Sequence, residues 1–186
     1  MAAEVTASAR SVHESTARAV DAVHLIWEAF RHQDPARIGA AERMLRHVRA
    51  HAAPDATAQQ LAASVGDLLS GVRTMLEEGV PFTDRAMREI ASLFDKGIEL
   101  LECARDALVT ENRVLVRHVL AGSAQYAQLA SDYAMAHQQR LVEGVCLPQA
   151  SSVYLSLLGH LKGVGHQARG IAEDLAVRRG PVPSSR

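Results

Sequence analysis

Apolar side chains recur along most of the chain at alternating steps of three and four residues. This spacing places the apolar positions on one face of an α-helix. Four such stripes stand out: Val12, Thr16, Ala19, Val23, Ile26 and Phe30; Leu61, Val65, Leu68, Val72 and Met75; Met87, Ile90, Phe94, Ile98, Leu101 and Leu108; and Val116, Val119, Ser123, Tyr126, Ala130, Tyr133, His137 and Leu141. No segment shows the two-residue alternation of a half-buried strand. The pattern therefore predicts an all-α protein.

Turn-forming residues divide this pattern into six helical segments. The breaks fall at Asp34-Pro35, at 53–55, at 79–83, at Glu111-Asn112, at 144–148 and at Gly180-Pro181. Thr83 and Asp84 are predicted to cap the fourth helix, and Pro148 with Gln149 to open the sixth. We expect a single helical domain over residues 1–180, followed by a flexible tail at 181–186.

A faint internal repeat suggests how the six helices are arranged. Aligning Asp34 with Glu111 gives an offset of 77 positions, and the segments SVGD (64–67) and GVGH (163–166) match at an offset of 99. The half-repeats would cover roughly residues 5–79 and 83–179. The repeat predicts two three-helix bundles in tandem, with an up-down order of helices.

The sixth segment carries four glycines, Gly159, Gly163, Gly165 and Gly170, although each interior glycine costs a helix about 1 kcal/mol relative to alanine. Its core stripe is Tyr154, Leu157, Leu161, Val164, Ala168, Ile171 and Leu175. The glycines are predicted to leave the outer face bare so that a partner can approach closely. The alternative is a solvated face on which glycine is merely tolerated.

The predicted interaction face combines this outer stripe with a milder counterpart on the third segment, where Ser70 is also turned away from the core. It consists of Gly159, Lys162, Gly163, His166 and Gly170, together with Ala63, Gly66 and Asp67. Lys162 lies one helical turn before His166, so the pair would make this face cationic.

Composition excludes several classes of protein. The 186 residues carry a formal net charge of -1 and no local cluster of basic residues, which argues against nucleic-acid binding. No apolar run approaches the ~18 residues of a membrane span. Cys103 and Cys146 are the only cysteines, and the N-terminus has no secretory signal. We therefore expect a cytoplasmic protein.

Few residues are candidates for catalysis or metal binding. His47 and His51 are one helical turn apart and could share a zinc ion, but a solvated basic face is the preferred interpretation because arginines crowd the same helix: Arg43, Arg46 and Arg49. His137 falls on an apolar stripe, which indicates a core histidine. Cys146 has no base beside it in the sequence. Because no phosphate-binding loop, GxSxG motif or zinc-hydrolase motif occurs, the chain is not expected to be an enzyme.

The run RLVEGVCLPQASSVYLSLLGHLKGVGHQARGIAEDL resembles the closing helix pair of PhoU domains, especially the PhoU-like cytosolic domain of sodium/phosphate cotransporters. The resemblance covers residues 79–175. The matching positions are Gly79, Phe82-Thr83, Glu89-Ile90, His137, Arg140-Leu141, Gly144, Ser152, Tyr154-Leu155, Leu157-Leu158, Leu161, Val164-Gly165, Ala168 and Ile171-Ala172-Glu173.

The resemblance implies two three-helix bundles and a non-enzymatic regulatory or accessory role in phosphate transport. The implied partner is a phosphate transporter, a sensor kinase or a second copy of the chain, and a transporter would place the protein at the membrane periphery. The family's closing helix typically carries a glutamate and an aspartate, four residues apart, that hold iron or zinc. Lys162 and His166 stand there in this chain, with Ala63 and Asp67 in the earlier half. We therefore expect no metal and no other cofactor.

Two alternatives remain open from the sequence. The protein could be a metal- or anion-binding sensor in which histidines replace the missing carboxylates, with Lys162 and His166 accepting an anion such as phosphate. It could also be a helical adaptor of unrelated lineage that shares only the pattern of a bundle.

Overall fold

The computed structural model describes residues 2–51, 56–144, 146 and 148–178, with side chains from residue 12 onward except those of 51 and 149. These residues form six helices: α1 (Ala2–His32), α2 (Pro35–His51), α3 (Ala56–Glu77), α4 (Asp84–Thr110), α5 (Arg113–Val142) and α6 (Pro148–Arg178). They contain no strand, so the predicted all-α class and the six helices are confirmed. Over the described ranges, no helix combines the length and the apolar character that crossing a bilayer requires.

Several predicted helix ends are correct. The Thr83 hydroxyl accepts a hydrogen bond from the Ala86 amide at 3.2 Å and caps α4, as the sequence suggested. Pro148 is the first residue of α6, where its fixed φ and missing N–H are tolerated. The break predicted at 53–55 and the tail at 181–186 lie outside the described residues, as does part of the break at 144–148.

The α1–α2 and α4–α5 junctions have the same construction. Gln33 and Glu111 both adopt left-handed backbone angles, with φ values of 53° and 50°. The next residue caps the following helix: Asp34 accepts from the Ala36 amide at 3.0 Å, and Asn112 accepts from Val114 at 2.8 Å. The structural match is therefore Asp34 with Asn112, a spacing of 78 positions. The predicted alignment of Asp34 with Glu111 was wrong by one residue, because the cap follows the left-handed residue.

Helix packing follows the two halves of the chain. Within the first half α1, α2 and α3 all pack against one another, and α4, α5 and α6 do so within the second. The halves meet where α1 packs on α4 and α3 packs on α6. Because a single continuous core of buried side chains joins both halves, the division into two separate three-helix bundles stays a prediction.

Aromatic stacking reinforces the contact between α1 and α4. The Trp27 ring stacks on Phe94 with centroids 4.9 Å apart and on Phe30 at 5.8 Å. Phe30 and Phe94 also contact each other at 5.5 Å. With aromatic residues at only 4% of the sequence, this cluster concentrates much of the chain's aromatic surface where the two halves meet.

Helix α6 packs against three other helices, α3, α4 and α5. Its predicted core stripe is buried from Tyr154 to Ile171, with Leu175 partly buried. Gly165 is also buried. A Cβ at this position would overlap the ring of Tyr126 on α5. The Tyr126 hydroxyl donates to the Leu161 carbonyl at 3.0 Å. The expectation that all four glycines bare an outer face is therefore wrong for Gly165, which allows α5 and α6 to pack closely.

Two substitutions separate the inner glycine from the outer ones. Gly159→Ala should raise the free energy of unfolding by about 1 kcal/mol, because the position has no neighbour within 4 Å and alanine is the better helix former. Gly165→Ala should lower it by about 1–2 kcal/mol, because the added methyl group displaces the Tyr126 ring. Urea denaturation of both variants measures this difference. Equal stabilities would contradict the packing of α5 against α6.

Candidate functional site

The outer flank of α6 is largely open to solvent. Gly159, Lys162 and His166 are exposed, whereas Gly163 and Gly170 are half-buried. A Cβ at Gly159 or Gly170 would meet no atom within 4 Å, and one at Gly163 would meet only the Ser64 hydroxyl, at 4.0 Å. A Cβ could therefore be added at these positions without a clash.

The predicted counterpart on α3 is less uniform. Ala63 and Asp67 are exposed, but Gly66 is half-buried and covered by the Arg49 side chain of α2. The approach of Ser64 to Gly163 brings the α3 and α6 faces together where the two helices pack. Gly66 lies instead in the groove between α2 and α3.

A groove of about 480 Å³ runs between α5 and α6. Tyr126 and three small residues of α5 form one wall, and the other is formed by Lys162, Gly163, Gly165, His166 and Arg169. The Lys162 ammonium donates to the Ser131 hydroxyl at 3.1 Å, and Arg169 Nε donates to Glu173 at 2.7 Å. The structure thus brings the predicted pair Lys162 and His166 to one groove, although Lys162 and Arg169 already have partners there.

A second groove, of about 280 Å³, lies between α2 and α3, and we call it the arginine groove. Its polar lining consists of Glu42, Arg46 and Arg49 from α2 with Gly66, Ser70 and Arg73 from α3. The sequence had assigned Arg46 and Arg49 to a solvated basic face. It could not place Arg73 beside them, because that residue is contributed by the neighbouring helix.

A buried polar cluster joins α4, α5 and α6 around the Glu89 carboxylate. Arg140 donates to both carboxylate oxygens, at 2.9 and 3.2 Å, and Arg85 donates at 2.9 Å. The Tyr154 hydroxyl also donates to Glu89. The His137 ring stacks on Tyr154 with centroids 4.3 Å apart. The side chains of Glu89 and Arg140 are only 8% and 12% exposed, so their charges compensate each other away from solvent.

The sequence pointed to Glu89 and Arg140 only through the resemblance, and the convergence of these residues was not foreseen. Glu89, His137, Arg140 and Tyr154 are all positions at which the chain resembles PhoU domains, and Phe82, another such position, packs edge-on against Tyr154 at 6.0 Å. The sequence does contain an indication of this cluster. Tyr154 and His137 both lie on apolar stripes, and a polar group on such a stripe requires a hydrogen-bond partner in the interior.

Ionisation within the cluster follows from its surroundings. Burial would raise the pKa of Glu89, but hydrogen bonds from Tyr154, Arg85 and Arg140 outweigh that effect, and the pKa is lowered. Burial lowers the pKa of His137, and the charge of Arg140 lowers it further. Burial and the neighbouring carboxylate raise the pKa of Tyr154. Near neutral pH the cluster therefore holds a charged Glu89–Arg140 pair beside a neutral imidazole.

Cys146 lies closer to a base than the sequence indicated. Its sulfur is 3.9 Å from Nδ1 of His137. A cysteine–histidine nucleophile requires a third group that orients the imidazole. Among the described residues the buried Nε2 of His137 has no hydrogen-bond partner. The arrangement therefore lacks the orienting contact of a thiol-dependent active site.

Potential metal ligands are scattered. In the parts of the chain that the structure describes, no three His, Cys, Asp or Glu side chains converge on one point. His47 is exposed on α2, and the side chain of His51 lies outside the described set. The absence of a metal site stays a prediction.

Neither the comparison with protein-family models nor the searches of curated proteins and of solved structures found a match for this chain. Its function therefore has to be argued from the surfaces described above, together with the resemblance at residues 79–175. The α6 flank and the two grooves described above are among its accessible surfaces.

Replacing the buried carboxylate tests the polar cluster. Glu89→Gln should lower the free energy of unfolding at pH 7 by about 3 kcal/mol, because it leaves Arg140 buried without a counter-charge. Arg85→Gln is the matched control: the Arg85 side chain is 59% exposed, and its loss should cost less than about 1 kcal/mol. Denaturant titration measures both. Comparable losses would contradict the central role of the Glu89–Arg140 pair.

The pH dependence of stability provides a separate test at His137. Because the pKa of His137 is lowered by folding, the unfolded chain binds that proton more readily, and stability falls as the pH drops below the ordinary value of 6.5. His137→Phe should flatten the curve of stability against pH between about 7 and 5. Thermal unfolding across this range measures the slope. A variant as pH-sensitive as the wild type would show that His137 does not carry the effect.

Proposed function

We propose that this chain is a non-enzymatic regulatory or accessory protein of phosphate transport that works by contact with a protein partner. The partner would be a phosphate transporter or a sensor kinase. The observation that carries the proposal is the α6 flank, where Gly159, Gly163 and Gly170 leave three positions without a side chain beside the exposed Lys162 and His166. Such a surface allows another backbone or a flat apolar side chain to approach closely.

The glycine content of α6 supports the proposal that this flank contacts a protein partner. Exposed glycines weaken a helix by about 1 kcal/mol each, and Gly159 and Gly170 meet no neighbouring group within the described part of the protein that would offset this loss. A close-fitting partner would recover it through packing. Lys162 and His166 border the same flank and would favour an acidic edge on that partner.

The link to phosphate transport comes from the resemblance to PhoU domains over residues 79–175. Four positions on which the resemblance rests converge in one buried cluster: Glu89, His137, Arg140 and Tyr154. This convergence supports the link to PhoU domains, because it gives these positions a common structural role. A partner in the phosphate uptake system would place the protein in the cytoplasm, beside the membrane when that partner is a transporter.

Affinity capture from the cells of origin tests the proposal. The wild-type chain should retain a component of a phosphate transporter or a phosphate-responsive sensor kinase, and Gly163→Leu should lose it. A Cβ at position 163 would meet only the Ser64 hydroxyl, at 4.0 Å, and leucine favours helix. The fold should therefore be preserved, which circular dichroism verifies.

Gly39→Leu is the matched control, because it makes the same exchange on α2, where a Cβ would meet only Arg43 at the ordinary distance of 3.7 Å. This control should retain the partner. Capture of a phosphate-transport component by Gly163→Leu at the wild-type level would refute docking at the α6 flank. Recovery of no such component by the wild type would refute the link to phosphate transport.

A further inference from the structure

The arginine groove has more positive charge than its own carboxylate can compensate. Three guanidinium groups and one carboxylate line it, and Glu42 is engaged with Arg73 through an ion pair. Within the described residues, neither Arg46 nor Arg49 forms an ion pair. Two guanidinium groups on the same helix thus face one small groove without a counter-charge, an arrangement that a bound anion would stabilise.

Gly66 determines where one of these charges lies. A Cβ at position 66 would overlap the Arg49 guanidinium, so the missing side chain lets that group lie directly against α3. The guanidinium is thereby brought to the wall of the groove that Ser70 and Arg73 share. Gly66 was predicted to serve partner docking, but in the structure its bare position is filled by Arg49.

An ordinary structural role explains these arginines only in part. The aliphatic stem of an arginine often covers apolar surface while its head group stays in water, and Leu45 and Leu69 lie in the same groove. That role needs no convergence of arginines from two helices. It also gives no reason for the head group of Arg49 to lie where a glycine makes room for it.

We propose that the arginine groove binds a small phosphoryl-type oxyanion, with Arg46 and Arg49 as its main ligands. A planar guanidinium donates two parallel hydrogen bonds to a tetrahedral oxyanion, and such bonds are stronger than those between neutral groups. Ser70 supplies a further hydroxyl donor. The volume of about 280 Å³ lies near the lower limit of small-molecule pockets, roughly 300–1,000 Å³, which fits inorganic phosphate or the phosphate end of a monoester.

The α5–α6 groove is the weaker candidate for this ligand. The sequence had suggested that Lys162 and His166 accept phosphate there. In the structure Lys162 is engaged with Ser131 and Arg169 with Glu173, so an anion would have to displace existing contacts. The proposal for the arginine groove goes beyond the partner contact on the α6 flank and does not depend on it.

Calorimetric titration of the full chain at about 0.15 M ionic strength tests the proposal, with inorganic phosphate and adenosine monophosphate as separate ligands. At least one of them should bind saturably at one site. Arg49→Gln should weaken that binding by about tenfold or more, as expected for the loss of a charge-assisted hydrogen bond. Arg43→Gln removes the same charge from an exposed position of α2 outside the groove. It should change the affinity less than about twofold, because diffuse surface charge is screened by salt.

The Gly66→Ala variant tests whether anion binding depends on the position of the Arg49 guanidinium as well as on its charge. The variant keeps every charged group but forces the Arg49 guanidinium out of its position, so affinity should fall several-fold while the helical circular dichroism signal is unchanged. Saturable binding of both ligands identifies free phosphate as sufficient, and binding of adenosine monophosphate alone identifies a phosphate monoester. Either result supports the proposal. Absence of binding for both ligands, equal effects of Arg43→Gln and Arg49→Gln, or wild-type affinity in Gly66→Ala would overturn it.

Discussion

The buried pairing of Glu89 with Arg140 is the interaction on which the geometry of the C-terminal half depends. The carboxylate belongs to α4 and the guanidinium to α5, and the Tyr154 hydroxyl of α6 donates to the same carboxylate. Because removing one member of a buried ion pair costs about 3–5 kcal/mol, alternative registers of these three helices are strongly disfavoured. The Tyr154 contact ties α6 to this pair and, together with the burial of its apolar stripe, orients the helix.

With α6 oriented in this way, the same residue type serves opposite purposes around the helix. Gly165 faces α5 and allows the Tyr126 ring to lie against the backbone, whereas Gly159 and Gly170 face open space. Removing a side chain permits close packing at the first position. At the other two it leaves a surface that nothing in the described chain covers. The proposed docking flank is therefore a consequence of how the interior is packed.

The distribution of charge over the outer grooves connects the two proposals. Lys162 and His166 stand at the positions where the resemblance to PhoU domains leads one to expect carboxylates for a metal, and the arginine groove between α2 and α3 is likewise cationic. Oxygen-rich ligand sets suit hard cations, whereas guanidinium and ammonium groups suit oxyanions. We infer a protein whose partner contact and whose anion binding occupy separate surfaces, on α6 and between α2 and α3. Each surface can be altered without affecting the other.

The sequence by itself determined the all-α class, the six helices and their buried stripes, because the spacing of apolar residues records which side of each helix avoids water. It also indicated the α4 cap at Thr83 and the exposure of Gly159, Lys162 and His166. Only the tertiary structure decided that Gly165 lies inside, that Arg49 covers Gly66 and that Arg73 joins Arg46 and Arg49 in one groove. These facts depend on contacts between residues far apart in the chain. A pattern along one helix specifies its inner face but not which neighbouring side chain will meet it.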